Sequence, residues 1–426
     1  MGEKRNLEWF RRELEKLYEL KESARLGPGA ADTKEATVLN RVVRWTPAGL
    51  EYEADPRQSE KLLRDLKLDG AEVKPAATPG VKATKEQVDT DTPLAPDKTS
   101  PYRAVAARAN DLASDRPELQ FASKECCRWM AAPTELGLGG LKRLGRFVAG
   151  HRRLVFLYPW QTAARTDIYS DTDWAGCVNT RKSTSAGCLM LGKHLIKSWS
   201  STQASVSLSS GESEFYGVVK ASGVALGYQS LLRDLGHDLP VRVWTDSTAT
   251  IGICGRQGLG KLRHIDTHYL WVQQRVRDKS IDLYKVRGEE NPADLFTKHL
   301  SSHDRTEKLL ELFGCVYRGG RPDAAPKMRQ GIGTSKGELL AVQAEQAAEL
   351  VDWGGHKFPL GELSGEVGLP EAFRCMEGVL PHLHMDIEQR FPRAEAGEAL
   401  KDADPEMDNT LEAHGRRIGS NGPRFR

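Results

Sequence analysis

Between residues 165 and 300, hydrophobic patterns typical of β-strands alternate with patterns typical of α-helices. Strand-like runs occupy residues 166–170, 186–191, 195–199, 241–245 and 281–286. Helix-like runs begin at Ser209, Ser247, Ile265 and Pro292, three of them with a capping or proline signal. The predicted order is strand, strand, strand, helix, strand, helix, helix, strand, helix. This order predicts an α/β fold in which a mixed five-stranded sheet is flanked by helices.

Acidic residues stand where these predicted strands end and where the helices begin. They are Asp171, Glu214, Asp246 and Asp294. Because strand ends and helix starts meet at one edge of such a sheet, we expect the four carboxylates to converge. Uncompensated carboxylates would repel one another, so the pattern favours a bound divalent cation, and all-oxygen ligands favour Mg²⁺ or Mn²⁺. Two such ions ~4 Å apart would activate a water and stabilise the leaving oxygen in phosphodiester hydrolysis.

Two of these assignments have a competitor two residues away. Asp173 competes with Asp171, which directly follows the first predicted strand, and Glu212 competes with Glu214. Glu214 shares a helix face with three small or apolar residues expected to pack on the sheet: Val218, Ala221 and Ala225. The helical period defines this face but not its orientation, so it favours Glu214 without excluding Glu212.

Composition excludes several classes of protein. No stretch reaches the ~18 consecutive apolar residues of a membrane-spanning helix, and the first ten residues, MGEKRNLEWF, have no apolar core of a signal peptide. The seven cysteines include no C-x-x-C pair and no zinc-finger spacing. The net charge of +2 indicates no particular partner. We therefore expect an intracellular protein that does not bind membranes.

The chain outside residues 165–300 is less informative. Residues 102–158 have helical patterns, and Lys142, Arg143 and Arg146 form either a phosphate-facing patch or a solvated helix face. From residue 74 to 101 the sequence is rich in Pro, Thr, Lys and Asp, which predicts a linker. Beyond residue 300 the chain is rich in Gly, Glu and Ala, and we expect it to be partly disordered.

Five motifs between residues 169 and 300 resemble the ribonuclease H domain of a copia-class LTR retrotransposon Pol polyprotein. They are YSDTDWAGCVNTRKSTSAG, SWSSTQASVSLSSGESEFYGVVKA, VWTDSTATI, RHIDTHYLWVQQRV and ENPADLFTKHL. Upstream, DRPELQFA, PTELGLGGLKRLGRFVAG and VFLYP are similar to the segment that connects reverse transcriptase to ribonuclease H in that family. WTPAGLEYEADPRQSEKLLRDL resembles, more distantly, the end of the reverse transcriptase domain.

The resemblance implies a division of the chain into five parts. Residues 1–73 would be an α+β remnant of a reverse transcriptase domain, 74–101 a linker and 102–160 a helical connection segment. Residues 161–300 would be a ribonuclease H-like domain, and 301–426 a tail of unknown role. Polymerisation requires adjacent aspartates, and the sequence contains no Asp-Asp pair. We therefore expect no competent reverse transcriptase in this chain.

The resemblance also implies an activity, which is two-metal hydrolysis of the RNA strand of RNA/DNA hybrids during reverse transcription. Asp171, Glu214, Asp246 and Asp294 would be the catalytic and metal-binding residues, with Mg²⁺ or Mn²⁺ as cofactor. Further partners would be reverse transcriptase or other Pol-derived chains, and the resemblance implies a location in the cytoplasm or nucleus. The alternative is a catalytically inactive transposon relic or a recruited nucleic-acid-binding module.

Two short segments near these acids are predicted to contact nucleic acid, because they match family motifs. The residues are Arg181, Lys182, Ser183, Arg263 and His264. For the first three, a surface loop is an equally good interpretation, and for the last two, helix capping and packing is.

Overall fold

The computed structural model describes residues 4–70 and 72–327, together with the backbone of residues 351–353 and 356–358. The chain divides into two units, Met1–Arg329 and Gln330–Arg426. Among the described residues, no helix is long and apolar enough to cross a membrane.

The first unit begins with a helix, three strands and a second helix. These are α1 (Lys4–Glu15), β1 (Glu35–Val38), β2 (Arg41–Thr46), β3 (Gly49–Glu53) and α2 (Pro56–Asp65). Helix α2 begins at a proline, and the side chain of Asp55 caps it by accepting a hydrogen bond from the backbone N–H of Arg57.

Helices dominate the next ninety residues. They are α3 (Lys85–Asp89), α4 (Pro96–Ala113), α5 (Gln120–Cys127) and α6 (Glu135–Gly150), with a 3₁₀ turn at Pro117–Leu119. The expected helices are present up to residue 150, but residues 153–159 of the segment predicted to be helical form a strand instead. Residues 74–101 also differ from the linker expected there. They contain α3 and the first turns of α4, because Thr84 and Gln87 form a capping box and Pro96 begins the longer helix.

The predicted tail beyond residue 300 begins with a folded stretch. There α10 (His303–Glu311) and β10 (Cys315–Arg318) continue the folded chain. Strand β10 pairs antiparallel with β4 (Arg153–Pro159), which completes an antiparallel sheet in the order β1-β2-β3-β4-β10. Leu309 and Leu310 of α10 are 1% exposed, and this buried apolar pair explains why the segment is folded despite its polar composition.

The predicted mixed sheet is confirmed. It consists of β5 (Thr166–Asp173), β6 (Thr184–Leu191), β7 (His194–Thr202), β8 (Val241–Thr245) and β9 (Asp282–Lys285). The spatial order is β7-β6-β5-β8-β9, with β7, β6 and β5 antiparallel and β8 and β9 parallel to β5.

The helices of this domain are α7 (Ser210–Asp234), α8 (Thr248–Gly255) and α9 (Trp271–Arg277). Ser209 and Ser247 cap α7 and α8 through hydrogen bonds accepted from Glu212 N and Thr250 N. The helix expected from Pro292 is instead a single 3₁₀ turn, Pro292–Phe296, after which the chain turns toward α10.

Two hydrophobic cores pack against the mixed sheet. On one face, Ile168 and Val243 of the central strands pack on Phe215 and Ala221 of α7. Another core joins β6 to β4, α10 and β10, with Cys188, Phe156 and Phe313 among its buried residues. The two sheets of the first unit therefore share a core, and β5 and β8 lie at the centre of the packing that positions the acidic residues.

In the second unit, β11 (Val351–Trp353) pairs antiparallel with β12 (His356–Phe358). The rest of the predicted tail beyond residue 327 lies outside the described residues.

Candidate metal centre

Three of the four predicted acids converge at one point. Asp171 comes from β5, Glu214 from the first turns of α7, and Asp246 directly follows β8. Each contributes a carboxylate oxygen, and these oxygens lie within 4.8 Å of one another. Asp171 is 3% and Glu214 9% exposed, so two of the three carboxylates are almost fully removed from water.

The parallel pairing of β5 with β8 and the tight packing of α7 explain this convergence. Parallel neighbours end at the same edge of the sheet, which places Asp171 and Asp246 together. Helix α7 approaches β5 closely at Gly217, where an added Cβ would lie 2.8 Å from Ser170 Oγ. The glycine therefore permits the contact that brings Glu214 to the end of β5.

The two competing acids lie elsewhere. Glu212 Oε2 accepts hydrogen bonds from the backbone N–H of Leu208 and lies 2.9 Å from His264 Nε2, so this carboxylate holds the loop before α7. Asp173 is two residues beyond Asp171 and lines a different cavity. The geometry thus places Asp171 and Glu214 in the cluster.

Asp294 lies beside the three-acid cluster and not within it. Its Oδ1 is 2.7 Å from Lys298 Nζ, and its Oδ2 is 3.3 Å from an Arg305 nitrogen. Asp294 and Asp246 line one open cavity of about 430 Å³, whose other lining residues include Lys298 and Arg305. The sequence analysis did not identify Lys298 or Arg305 as part of the site, although the i, i+4 spacing of Asp294 and Lys298 is a signal for an ion pair.

Burial and mutual repulsion raise the carboxyl pKa values in the cluster. Burial, followed by the charge of Asp171, raises the pKa of Glu214 to about 8. Burial is also the main cause of the raised pKa of Asp171, and the charge of Asp294 adds to it. The pKa of Asp246 is raised for the same two reasons. The cluster therefore resists being fully ionised unless a cation joins it.

This predicts a pH-dependent effect of Glu214→Gln on the metal-free protein. The pKa of Glu214 is about 8 in the folded protein against an ordinary 4.5, so the folded state retains a proton that the unfolded chain releases between these pH values. The free energy of unfolding of the wild-type protein therefore falls by about 1.4 kcal/mol for each pH unit between these two pKa values. Urea unfolding in chelator from pH 5 to 8.5 should show Glu214→Gln gaining stability relative to wild type. A difference independent of pH would contradict the prediction.

The residues present fit a divalent cation. All three donors are carboxylate oxygens, the ligand type that Mg²⁺ and Mn²⁺ prefer. Among the described residues, no hydrogen-bond partner satisfies the buried Glu214 Oε2, which leaves an acceptor available to an ion.

The first predicted nucleic-acid segment lies in the turn between β5 and β6. Arg181 is exposed and has a positive φ of 55°, and Lys182, which follows it, is partly buried. Ser183 is buried, and its Oγ accepts a hydrogen bond from Ala175 N. Its side chain therefore stabilises the turn, whereas Arg181 is exposed and Lys182 is partly buried.

The second segment precedes α9. Arg263 is exposed, and His264 contacts Glu212 as described above, so the histidine packs the loop against the start of α7. In the helical segment, Arg143 donates to Thr78 Oγ1 at 2.9 Å, and it lines a cavity of about 700 Å³ between α5, α6 and the turn after β5. Lys142 and Arg146 are exposed.

Several transposon proteins are similar in sequence. The chain is 33% identical over 233 residues to the "Retrovirus-related Pol polyprotein from transposon RE2" of Arabidopsis thaliana. The aligned region covers 54% of this chain and 16% of the polyprotein. It is 30% identical over 174 residues to the "Uncharacterized mitochondrial protein AtMg00810" of Arabidopsis thaliana. This aligned region covers 41% of this chain and 70% of that protein. No protein-family profile matches.

A solved structure, LC11-RNase H1 isolated from compost, aligns over 34% of this chain and 99% of its own length, with 14% identity and a TM-score of 0.24. The fold assignment rests instead on the sheet order and on α7. A five-stranded sheet in which three antiparallel strands are followed by two parallel ones, with carboxylates at its edge, defines a ribonuclease H-like domain. The chain is similar in sequence to part of the retrovirus-related Pol polyproteins from transposons, and it spans about 16% of the length of RE2.

Proposed function

We propose that this chain is a retrotransposon-derived ribonuclease H that hydrolyses the RNA strand of RNA/DNA hybrids with two Mg²⁺ or Mn²⁺ ions. The observation that carries the proposal is the convergence of Asp171, Glu214 and Asp246 at the edge of the sheet. The sequence relationship to Pol polyproteins supports the choice of an RNA/DNA hybrid as substrate. The copia class and a function during reverse transcription are part of the same proposal.

Each carboxylate has a definite task in this proposal. Asp171, Glu214 and Asp246 hold the cation, and Asp294 lies at the rim of the adjoining cavity, where it would bind the second one. When bound, the ions supply an activated water and stabilise the charge on the leaving oxygen. The burial of Asp171 and Glu214 lowers the local dielectric and strengthens their interaction with the cations.

Three basic side chains are proposed to bind the hybrid backbone. Arg181 and Arg263 are exposed and Lys182 is partly buried, and contacts of this type position a duplex without reading its sequence. As partners we propose reverse transcriptase or other Pol-derived chains, in the cytoplasm or nucleus.

The test is cleavage of a hybrid labelled on each strand. With Mg²⁺ or Mn²⁺ the RNA strand should be cut at internal positions, the DNA strand should stay intact, and chelator should stop the reaction. Double-stranded RNA of the same sequence is the control substrate. A folded chain that binds the hybrid and cuts neither strand would overturn the proposal and support the inactive, nucleic-acid-binding alternative.

A further inference from the structure

A lysine occupies the side of the acid cluster that faces Asp294. Lys298 Nζ lies 2.7 Å from Asp294 Oδ1 and 3.5 Å from Asp171 Oδ2. It therefore bridges an acid of the three-carboxylate cluster and the acid beside it. Asp171 Oδ2 is also bonded by the hydroxyl of Thr297, so this oxygen is already partnered on the Lys298 side.

The charges near the site balance with one divalent ion. When all four acids are ionised, Lys298 and Arg305 compensate two of the negative charges. The remaining two equal the charge of a single Mg²⁺ or Mn²⁺. A second divalent ion would give the free site a net positive charge at close range, which is electrostatically unfavourable.

The position of the Lys298 side chain allows it to move away from Asp171 and Asp294. Its side chain is 45% exposed, although both carboxylates that it contacts are buried. It lies at the wall of the open 430 Å³ cavity, so the flexible four-carbon stem has room to swing toward solvent. Arg305 differs, because it also donates to the backbone carbonyl of Glu289 and is thereby fixed to the loop before the 3₁₀ turn.

We propose that Lys298 holds the place of the second divalent cation in the free protein. The ammonium occupies the space between Asp171 and Asp294, and the free chain therefore binds one divalent ion tightly, at Asp171, Glu214 and Asp246. Lys298 moves away from the two carboxylates when a second ion enters. This inference rests on the proposed metal-dependent function and concerns how this chain controls access to the site.

The test is binding of Mn²⁺, measured by calorimetry and electron paramagnetic resonance in the absence of nucleic acid. The wild-type chain should bind one ion tightly and a second only weakly. Lys298→Met should bind the second ion at least about tenfold more tightly, because one positive charge is removed from a half-buried site. Lys298→Arg retains the charge and should stay close to wild type, as should Lys308→Met, which changes an exposed lysine of α10.

A second measurement uses the wild-type chain and does not depend on the folding of a variant. Acylation of Lys298 Nζ, quantified by mass spectrometry, should be slow in the free protein and should increase as Mn²⁺ fills the second site. Labelling that does not change with Mn²⁺ would overturn the inference.

These measurements distinguish failure of the proposed metal-dependent function from failure of the proposed role of Lys298. A wild-type chain that binds no Mn²⁺ overturns both the metal-dependent function and the role of Lys298. A chain that binds Mn²⁺ and cuts the hybrid, but whose Lys298→Met variant has an unchanged second binding constant, overturns the role of Lys298 alone.

Discussion

Replacing Asp246 by asparagine is expected to reduce metal-dependent cleavage of an RNA/DNA hybrid by at least about 10²-fold, the scale observed when one preorganised electrostatic group is removed from an active site. The amide that results has nearly the same shape but no charge. It therefore weakens the three-carboxylate site while leaving the packing at the end of β8 intact. The measurement is the initial rate of cleavage at saturating Mg²⁺ for wild type and Asp246→Asn.

The same substitution should not destabilise the metal-free protein. The pKa of Asp246 is raised by burial and by the charge of Asp294, so an ionised Asp246 opposes folding and a neutral amide removes that cost. The matched control is Asp266→Asn, whose side chain is 80% exposed and outside the cluster. Full activity in Asp246→Asn, or equal losses in both variants, would contradict the assignment.

The prediction from sequence succeeded where local signals and the global fold agree. Strand β8 ends directly before Asp246 and is followed by helix α8, which Ser247 caps, and Ser209 caps helix α7, which carries Glu214. Parallel pairing then requires that Asp171 and Asp246 lie at one edge, so their convergence could be expected without coordinates. The choice of Glu214 over Glu212 could not be settled by helical period, because it depends on which way α7 is rotated against the sheet.

Features that depend on distant partners were not predicted. Strand β10 forms because residues 315–318 pair with residues 153–156, and a strand of four residues gives little signal of a partner so far away in the sequence. The place of Asp294 was expected within the cluster. Asp294 lies beside the three converging carboxylates, in a 3₁₀ turn where an α-helix was expected, and Lys298 and Arg305 form ion pairs with its carboxylate.

Replacing Arg116 by methionine is expected to cost about 3–5 kcal/mol of unfolding free energy, since it leaves a buried carboxylate without its partner. Arg116 is 1% and Glu118 2% exposed. The guanidinium donates to Glu118 Oε1 at 2.7 Å and to the backbone carbonyl of His151 at 2.8 Å, which ties the turn before α5 to the end of α6. Removing it therefore abolishes contacts between two segments as well as a charge.

Chemical denaturation of wild type and Arg116→Met in chelator measures this loss, and Arg233→Met is the matched control. Arg233 pairs with Asp238 at 2.8 Å, but the two side chains are 55% and 73% exposed, so breaking this pair should cost only about 0–1 kcal/mol. Adding Glu118→Gln to Arg116→Met should restore part of the lost stability, because no uncompensated charge then remains buried. If Arg116→Met and Arg233→Met lose similar stability, the Arg116–Glu118 pair does not hold these segments together.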